Sequence, residues 1–390
     1  MDVLPLPLLA VFAFVLGTLI GSFLNVVIYR VPAGVSVVFP RSRCPKCGHV
    51  LSAGELIPIV SWAVQGGKCR NCKAPISPRY ALVEGLTGLL FLGAALLRPV
   101  FPDLLFIWAF IALLIALSFI DFDTKTLPNS LNFGGLALGL VGAAALAYPL
   151  PDFSQALDAA FMGAGTIALF AGFGGLIYNK FRNSPAAIPV GQHQVHLAAM
   201  FGAIGGMVGT VGGVWLGMLG ILAGVLSWML SARTGKPSGL HDAITLGIAA
   251  VTPFIAWAMG GGGLALESAR GMLISTGAIA LAAMIYWWIR NPSDKVTEED
   301  HAEDPGGYVT VMGYGDVVLA GFLGAWLGFA NFGAGIFLAV FAGAILGLIA
   351  KRITGESTIP FGPYLAIGGL VAFFYGEALI GWYLGYIGAQ

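Results

Sequence analysis

The chain has 390 residues, of which 58% are hydrophobic and 10% are charged, with a formal net charge of zero and a mean hydropathy of +0.88. This composition excludes an ordinary soluble domain, in which about 25% of the residues are charged. Zero net charge alone says nothing about partners, and we expect no nucleic-acid partner.

Apolar runs of about 20 residues recur along the chain, and each is long enough to cross the hydrocarbon core of a bilayer. The first run, residues 7–29, is too long and uninterrupted for a cleavable signal, so we interpret it as a retained span. The 57 glycines fit close helix packing in lipid, because small residues let backbones approach. The pattern predicts an all-α polytopic membrane protein with about twelve transmembrane helices.

A basic segment follows the first span. Residues 30–80 contain eight arginines and lysines but a single acid, Glu55. The positive-inside rule therefore places this segment in the cytoplasm and the amino terminus outside.

All four cysteines lie in this segment, as Cys44-Pro-Lys-Cys47 and Cys69-Arg-Asn-Cys72, with 21 residues between the pairs. A reducing cytoplasm disfavours disulfides, and two CxxC pairs supply the four soft ligands of tetrahedral zinc. Such a site is structural, because four cysteines leave no open coordination position. Reduced thiol pairs, a redox pair and other metals are the alternatives. We expect a small cytoplasmic zinc-binding domain between the first two spans.

Further spans are predicted at residues 81–98, 102–120, 131–149 and 157–179. Counting from an outside amino terminus puts Asp121 at the cytoplasmic end of the third span. A second carboxylate occurs in Gly313-Tyr-Gly-Asp316, which opens another apolar run. An acid at the edge of a membrane helix is costly and is by default a functional candidate.

Two carboxylates brought together can share one proton. One then acts as a general base on water and the other as a general acid toward a carbonyl, which is aspartic-protease chemistry. Gly313 and Gly315 lack a Cβ and let a substrate or a helix approach closely. The alternative is structural, with Asp121 as a solvated turn residue and Asp316 as an acid favoured by the dipole at a helix start.

Several motifs occur in one order: Gly21-Ser-Phe-Leu-Asn-Val-Val-Ile-Tyr-Arg30, Pro40-Arg-Ser-Arg-Cys-Pro-Lys-Cys47, Cys69-Arg-Asn-Cys72, Pro78-Arg-Tyr80 with Glu84, the Asp121 segment and Gly313-Tyr-Gly-Asp316. In this order they resemble the type IV prepilin peptidase family over nearly the whole chain outside residues 185–307. The resemblance implies a bifunctional GxGD-type membrane aspartyl protease in the bacterial inner membrane, serving type IV pilus or type II secretion systems.

Members of that family cleave the basic leader of prepilins and pseudopilins at the cytoplasmic face and then methylate the new amino terminus. The resemblance carries the catalytic role to Asp121 and Asp316, with Gly313 and Gly315 in support. Asp123 is the alternative to Asp121. We prefer Asp121 because its spacing to Pro128-Asn129 fits the family pattern, and we expect Asp123 to position or solvate the turn.

The resemblance also implies prepilin or pseudopilin partners in a lipid bilayer, and S-adenosylmethionine as a cofactor beside structural zinc. No Rossmann fingerprint shows where the methyl donor binds. Asn25, Arg30 and Glu84 are candidates for that site. Interhelical hydrogen bonding is the plainer explanation for Asn25 and Glu84, and an anchor at the lipid headgroups is the plainer one for Arg30.

The chain departs from the family between its two aspartates, which are 195 positions apart instead of being separated by two spans. Residues 194–206 align without gaps on residues 316–328, a shift of 122, with six identities. We therefore interpret residues 185–307 as a duplicated, degenerate four-span unit, called here the extra unit. Chance similarity among Gly/Ala/Leu helices is the alternative. The extra unit ends in an acidic linker that contains Glu298, Glu299, Asp300, Glu303 and Asp304.

The predicted domains are the first span (1–30), the zinc-binding domain (31–80), a membrane core with the first catalytic aspartate (81–184), the extra unit (185–307) and a membrane core with the GxGD motif (308–390). An even number of extra spans returns the chain to the cytoplasm before Asp316.

In the extra unit, Gly191-Gln-His-Gln194 replaces the GxGD motif, so this copy lacks a protease carboxylate. We expect its His193 and His196 to be polar interface residues rather than metal ligands. For the whole chain, a noncatalytic membrane scaffold or transporter derived from the family is the alternative function.

Overall fold

A computed structural model of the chain describes residues 5–146, 150–181, 190–212, 217–234, 242–290, 292–295, 312–354, 360–386 and 388. These residues form α-helices and connecting segments, with two isolated β-bridges in the four-cysteine segment, residues 31–80. The prediction of an all-α fold is confirmed. The predicted acidic linker lies outside the described residues.

The described helices are, in chain order, α1 (Leu6–Arg30), α2 (Val60–Val64), α3 (Arg79–Leu97), α4 (Asp103–Thr124), α5 (Asn129–Ala145), α6 (Phe153–Phe181), α7 (Val190–Gly212), α8 (Met218–Thr234), α9 (Asp242–Arg290), α10 (Tyr314–Thr354) and α11 (Gly362–Tyr386). A proline precedes the first residue of α1, α3, α4 and α5. Proline suits a helix start because the backbone N–H that it lacks has no partner within the helix.

Two of the helices are hairpins. Gly261 in α9 has φ 74° and ψ −165°, and Gly328 in α10 has φ 70° and ψ 164°, conformations that favour glycine. Asp242 contacts the start of α7 and Glu267 packs near its end, whereas the Ser275 hydroxyl bonds the Ala198 carbonyl near the start again, so the second half of α9 runs back along α7. The sequence predicts separate spans at 243–261 and 271–289. In the structure the residues between these spans are helical, because Gly261 alone makes the reversal.

Seven helices in the described part of the chain are long and apolar enough to span a membrane, namely α1, α3, α4, α6, α9, α10 and α11. Glycine divides two of these, and α5, α7 and α8 are further apolar helices. The described residues therefore supply twelve helical segments outside the four-cysteine segment. The prediction of a polytopic membrane protein is confirmed, and the number of helical segments agrees with the predicted number of about twelve spans.

The first half of α10 lies at the centre of the core. Phe322 and Trp326 are almost fully buried, and the Trp326 ring stacks on Phe110 of α4 with a centroid separation of 4.7 Å. The Trp326 indole Nε1 donates a hydrogen bond to the Gly135 carbonyl of α5 at 2.8 Å. Because the indole N–H has a partner, the ring is buried without an unsatisfied donor. The helix that carries Asp316 is thus fixed against α4 and α5.

On its other side, α10 touches α6 backbone to backbone. A Cβ at Gly163 would overlap the Ala320 carbonyl oxygen, and a Cβ at Gly324 would overlap that of Ala159. Apolar burial supplies no net force between helices in lipid, so this close contact is a main source of their association.

The crossing of α6 with α9 is nearly two-fold symmetric. A Cβ at Gly165 would overlap the Leu273 carbonyl oxygen, and one at Gly277 would overlap that of Phe161. Residues 161 and 165 precede 273 and 277 by the same 112 positions. The extra unit is therefore joined to the core through a contact between two helices of related sequence. Its boundaries, 185 and 307, stay a prediction.

Gly324→Ala is expected to destabilise the protein by about 1–3 kcal/mol, because the added methyl group separates α10 from the α6 backbone. Gly333→Ala in the same helix is the control, since its Cβ would have no atom within 4 Å. Thermal unfolding of the purified protein in detergent measures both. Equal midpoints for the two variants would contradict the proposed packing.

Candidate active site and four-cysteine cluster

The four cysteine sulfurs form one cluster. Their Sγ atoms all lie within 4.8 Å of one another, with Cys44 to Cys72 at 3.9 Å and Cys47 to Cys69 at 4.0 Å. These separations suit four ligands around a metal at about 2.3 Å. A hydrogen bond from the His49 backbone lowers the pKa of the Cys47 thiol to about 7. The predicted cluster is present and can hold a metal ion.

Each CxxC pair lies in the same kind of turn. The Gly48 N–H donates to the Cys44 carbonyl at 2.9 Å, and the Lys73 N–H donates to the Cys69 carbonyl at 3.0 Å. Gly48 and Lys73 both have a positive φ, of 71° and 61°. The repeated geometry brings both cysteines of each pair to one side of their loop.

Hydrogen bonds attach this segment to the membrane helices. The Ile59 N–H donates to Glu84 of α3 at 2.7 Å, and Arg30 at the end of α1 donates to two carbonyls within residues 36–40 at 2.9 and 2.7 Å. Asn25 of α1 donates to a carbonyl at the start of α3 at 3.1 Å. The three residues considered for the methyl donor thus all make structural contacts.

Asp121 lies one turn before the end of α4, with 5% of its surface exposed. Its Oδ2 accepts a hydrogen bond of 2.8 Å from the backbone N–H of Gly362, the first residue of α11. A Cβ at Gly362 would lie 2.7 Å from this oxygen, so α11 reaches Asp121 only because it starts with glycine. This role of Gly362 was not predicted from the sequence, in which the helix-breaking Pro360-Phe-Gly-Pro363 is the signal for it.

Asp316 lies in the first turn of α10, where its Oδ2 accepts a hydrogen bond of 3.1 Å from the Gly313 N–H. Gly315 packs against Leu127, so closely that a Cβ would lie 2.7 Å from the leucine Cβ. The loop that follows α4 therefore touches the start of α10. Asp121 and Asp316 are close enough for direct electrostatic interaction.

Asp123 is held differently. The two terminal nitrogens of Arg79, the first residue of α3, donate to its two carboxylate oxygens at 2.6 and 2.5 Å. The guanidinium also lies over the Phe119 ring at 5.1 Å. This pairing favours Asp121 over Asp123 as the partner of Asp316. Arg79 and Asp123 are 44 positions apart, so no local pattern in the sequence could reveal their contact.

A cavity of about 470 Å³ lies between the end of α1, the start of α3 and the end of α4. Its polar lining includes Asn25, Tyr29, Arg79, Tyr80 and Asp123. The volume is within the range of small-molecule sites. The cavity reaches α4 two residues from Asp121.

The two histidines of the extra unit lie in a buried polar cluster. The Nδ1 atoms of His193 and His196 lie 2.6 and 2.5 Å from the two carboxylate oxygens of Asp242, the first residue of α9. His196 and Asp242 are almost fully buried. The cluster joins α7 to α9, as expected of polar interface residues.

Comparisons with known proteins agree with this architecture. The profile of the bacterial peptidase A24 N-terminal domain matches residues 15–97. A prepilin leader peptidase/N-methyltransferase of Myxococcus xanthus is 40% identical over 59% of this chain and 66% of its own length. The type 4 prepilin-like proteins leader peptide-processing enzyme of Escherichia coli O78:H11 is 32% identical over 61% of this chain and 91% of its own length. One from Aeromonas hydrophila, named like the first, is 28% identical over 95% of this chain and 92% of its own length.

No solved structure matches the chain. The sequence matches place it among helical membrane enzymes. The chain belongs to the type IV prepilin peptidase family, which confirms the resemblance seen in the sequence motifs.

Proposed function

We propose that this protein is an aspartyl endopeptidase that removes the basic leader of type IV prepilins or pseudopilins. The observation that carries the proposal is the electrostatic interaction of Asp121 and Asp316, two carboxylates from helix ends 195 positions apart, each held by the backbone N–H of a glycine. The names of the relatives support the substrate class. The membrane helices around the pair suit a substrate whose cleavage point adjoins an apolar helix.

In this mechanism the two carboxylates share one proton. The ionised carboxylate takes a proton from water as the water oxygen attacks the scissile carbonyl carbon, and the protonated one gives its proton to the carbonyl oxygen. The carbon–nitrogen bond then breaks. The leaving nitrogen takes the proton gained from water, and the second carboxyl recovers its own from the hydroxyl of the intermediate. The Gly362 and Gly313 N–H groups orient the carboxylates throughout.

Cleavage takes place at the cytoplasmic face in this proposal, with the amino terminus outside. The support is the charge of residues 30–80, which contain eight basic residues and one acidic residue. Arg79, the last of these basic residues, pairs with Asp123 near the end of α4. The basic segment and the proposed active site therefore lie at the same membrane surface, that of the bacterial inner membrane.

The same protein is proposed to methylate the amine that cleavage releases. Because both reactions act on one nitrogen, the methyl donor must bind within reach of the aspartates, and the cavity beside Asp123 meets this requirement. S-adenosylmethionine supplies an electrophilic methyl group when it is bound. In the cavity, Tyr29 and Tyr80 would hold its adenine ring.

The metal of the four-cysteine cluster is proposed to be zinc. Four thiolates at tetrahedral separations are the ligand set of structural zinc sites, and they leave no position for a reacting water. The ion would fix the fold of a segment that has little apolar core of its own. The segment in turn carries Arg79 to Asp123.

Asp121→Asn and Asp316→Asn are each expected to lower leader cleavage by at least about 10²-fold, because an amide can act neither as the base nor as the acid. Asp123→Asn is the matched control and should keep most of the activity, since Arg79 occupies its carboxylate. The ratio of mature to full-length coexpressed prepilin measures the effect. Normal processing by both test variants would rule out the protease and favour the scaffold or transporter.

Tyr29→Ala is expected to reduce methylation about fivefold or more at a subsaturating donor concentration, because stacking on a nucleobase contributes about 1–3 kcal/mol. Cleavage should continue. Tyr383→Ala, an exposed tyrosine on α11, is the control. Mass spectrometry of the processed prepilin reads cleavage and methylation together. Equal methylation by both variants would place the donor outside the cavity.

Purified protein is expected to contain about one equivalent of zinc, and replacing Cys44 and Cys72 by serine should remove it. Elemental analysis of the intact protein measures the ratio, with Asp152→Asn, remote from the cluster in sequence, as a control that should retain zinc. Substantially less than one equivalent in intact protein would contradict a four-cysteine zinc site.

A further inference from the structure

The segment that follows α9 reaches from the extra unit to the proposed active site. Asp294 Oδ1 accepts a hydrogen bond of 3.2 Å from the backbone N–H of Ser130, in the first turn of α5. Pro128, the capping residue of α5, has no side-chain acceptor and makes no side-chain hydrogen bond to the helix. A helix start needs acceptors for its free N–H groups and favours a negative charge. Asp294 supplies both from 164 positions away.

Two further contacts fix the same junction. Trp288, in the last turn of α9, stacks on Phe133 of α5 with a centroid separation of 5.3 Å and an interplanar angle of 29°. Lys295 lies against Gly34, where its Cβ would be 3.2 Å from a Cβ built on the glycine. The end of the extra unit therefore packs between the start of α5 and the connection that follows α1.

The opposite side of the same α5 turn holds the GxGD motif. Asn132 is fully buried, and its Nδ2 donates a hydrogen bond of 3.2 Å to the carbonyl oxygen of Gly315. Gly315 directly precedes Asp316. A shift of the α5 start is thus transmitted through one side chain to the backbone that carries a proposed catalytic carboxylate.

We propose that the extra unit positions the aspartyl site, with Asp294 as the positioning residue that sets the start of α5 and, through Asn132, the place of Gly315 and Asp316. The inference rests on the proposed function. It gives the extra unit a role that needs no catalytic group of its own. Asp294 acts through α5 and does not touch the substrate.

The test uses the purified full-length protein in lipid nanodiscs with a synthetic prepilin segment. Asp294→Ala is expected to lower kcat about tenfold or more with little change in KM, because small displacements of catalytic groups cost up to about 10²-fold in rate. Asp294→Asn should restore most of kcat, since the amide oxygen accepts the same hydrogen bond. If Asp294→Ala lowered activity only by unfolding the protein, the loss would not appear selectively in kcat.

Asp152→Ala is the matched control. Asp152 accepts hydrogen bonds from the Gln155 N–H at 3.0 Å and the Ser154 hydroxyl at 2.8 Å at the start of α6, in the connection after α5. Removing it deletes a comparable helix cap, yet kcat should not change. An unchanged kcat in Asp294→Ala, or equal losses in both variants, would overturn the proposal.

A double-mutant cycle tests the route through Asn132. If Asp294 acts through Asn132, the variant with both residues replaced by alanine should be no less active than the less active of the two single variants. Losses that multiply would overturn the route. Asp316→Asn, measured in parallel, separates the proposed function from the positioning role. Full activity of Asp316→Asn would contradict the protease itself. An inactive Asp316→Asn beside an unaffected Asp294→Ala would contradict only the positioning role.

Discussion

Backbone amides at the starts of helices impose the constraint on which this structure depends. The first N–H groups of a helix have no partner within it, and they are costly to leave unpaired where water is scarce. Carboxylates accept hydrogen bonds from the backbone at three helix starts. Asp121 accepts one from the first residue of α11, Asp316 accepts one in the turn that opens α10, and Asp294 accepts one from the first turn of α5. The contacts that hold these helices therefore also orient the proposed catalytic pair.

The extra unit has a different polar contact at the corresponding helix start. Asp242 begins α9 and pairs with two histidines near the start of α7, where the core has Asp121 at the start of α11. The near-symmetric crossing of α6 with α9 and the shared pattern Gly-x-Ile-Ala-Leu-x-Ala at 165–171 and 277–283 support the proposal of a degenerate copy. A copy without its own equivalent of α4 must satisfy its polar groups internally, which gives the buried cluster a physical reason.

The four-cysteine segment and the aspartyl site are joined through Arg79. This residue lies at the end of the segment, begins α3 and binds Asp123, two positions beyond Asp121. A metal that orders the segment would therefore also order the end of α4 and the cavity beside it. In the proposed function this linkage keeps the methyl donor and the cleavage point together, so that one nitrogen can be released and methylated without leaving the site.

By itself the sequence determined the helical membrane fold, the four-cysteine cluster and the family, because hydropathy, CxxC spacing and motif order are properties of short contiguous stretches. It also singled out Asp121 and Asp316. Only the tertiary structure paired Asp123 with Arg79 and brought Asp294 to α5, because these contacts join residues 44 and 164 positions apart whose approach depends on how the helices pack. The α9 hairpin was likewise decided in three dimensions, since a single glycine can either continue a helix or reverse it.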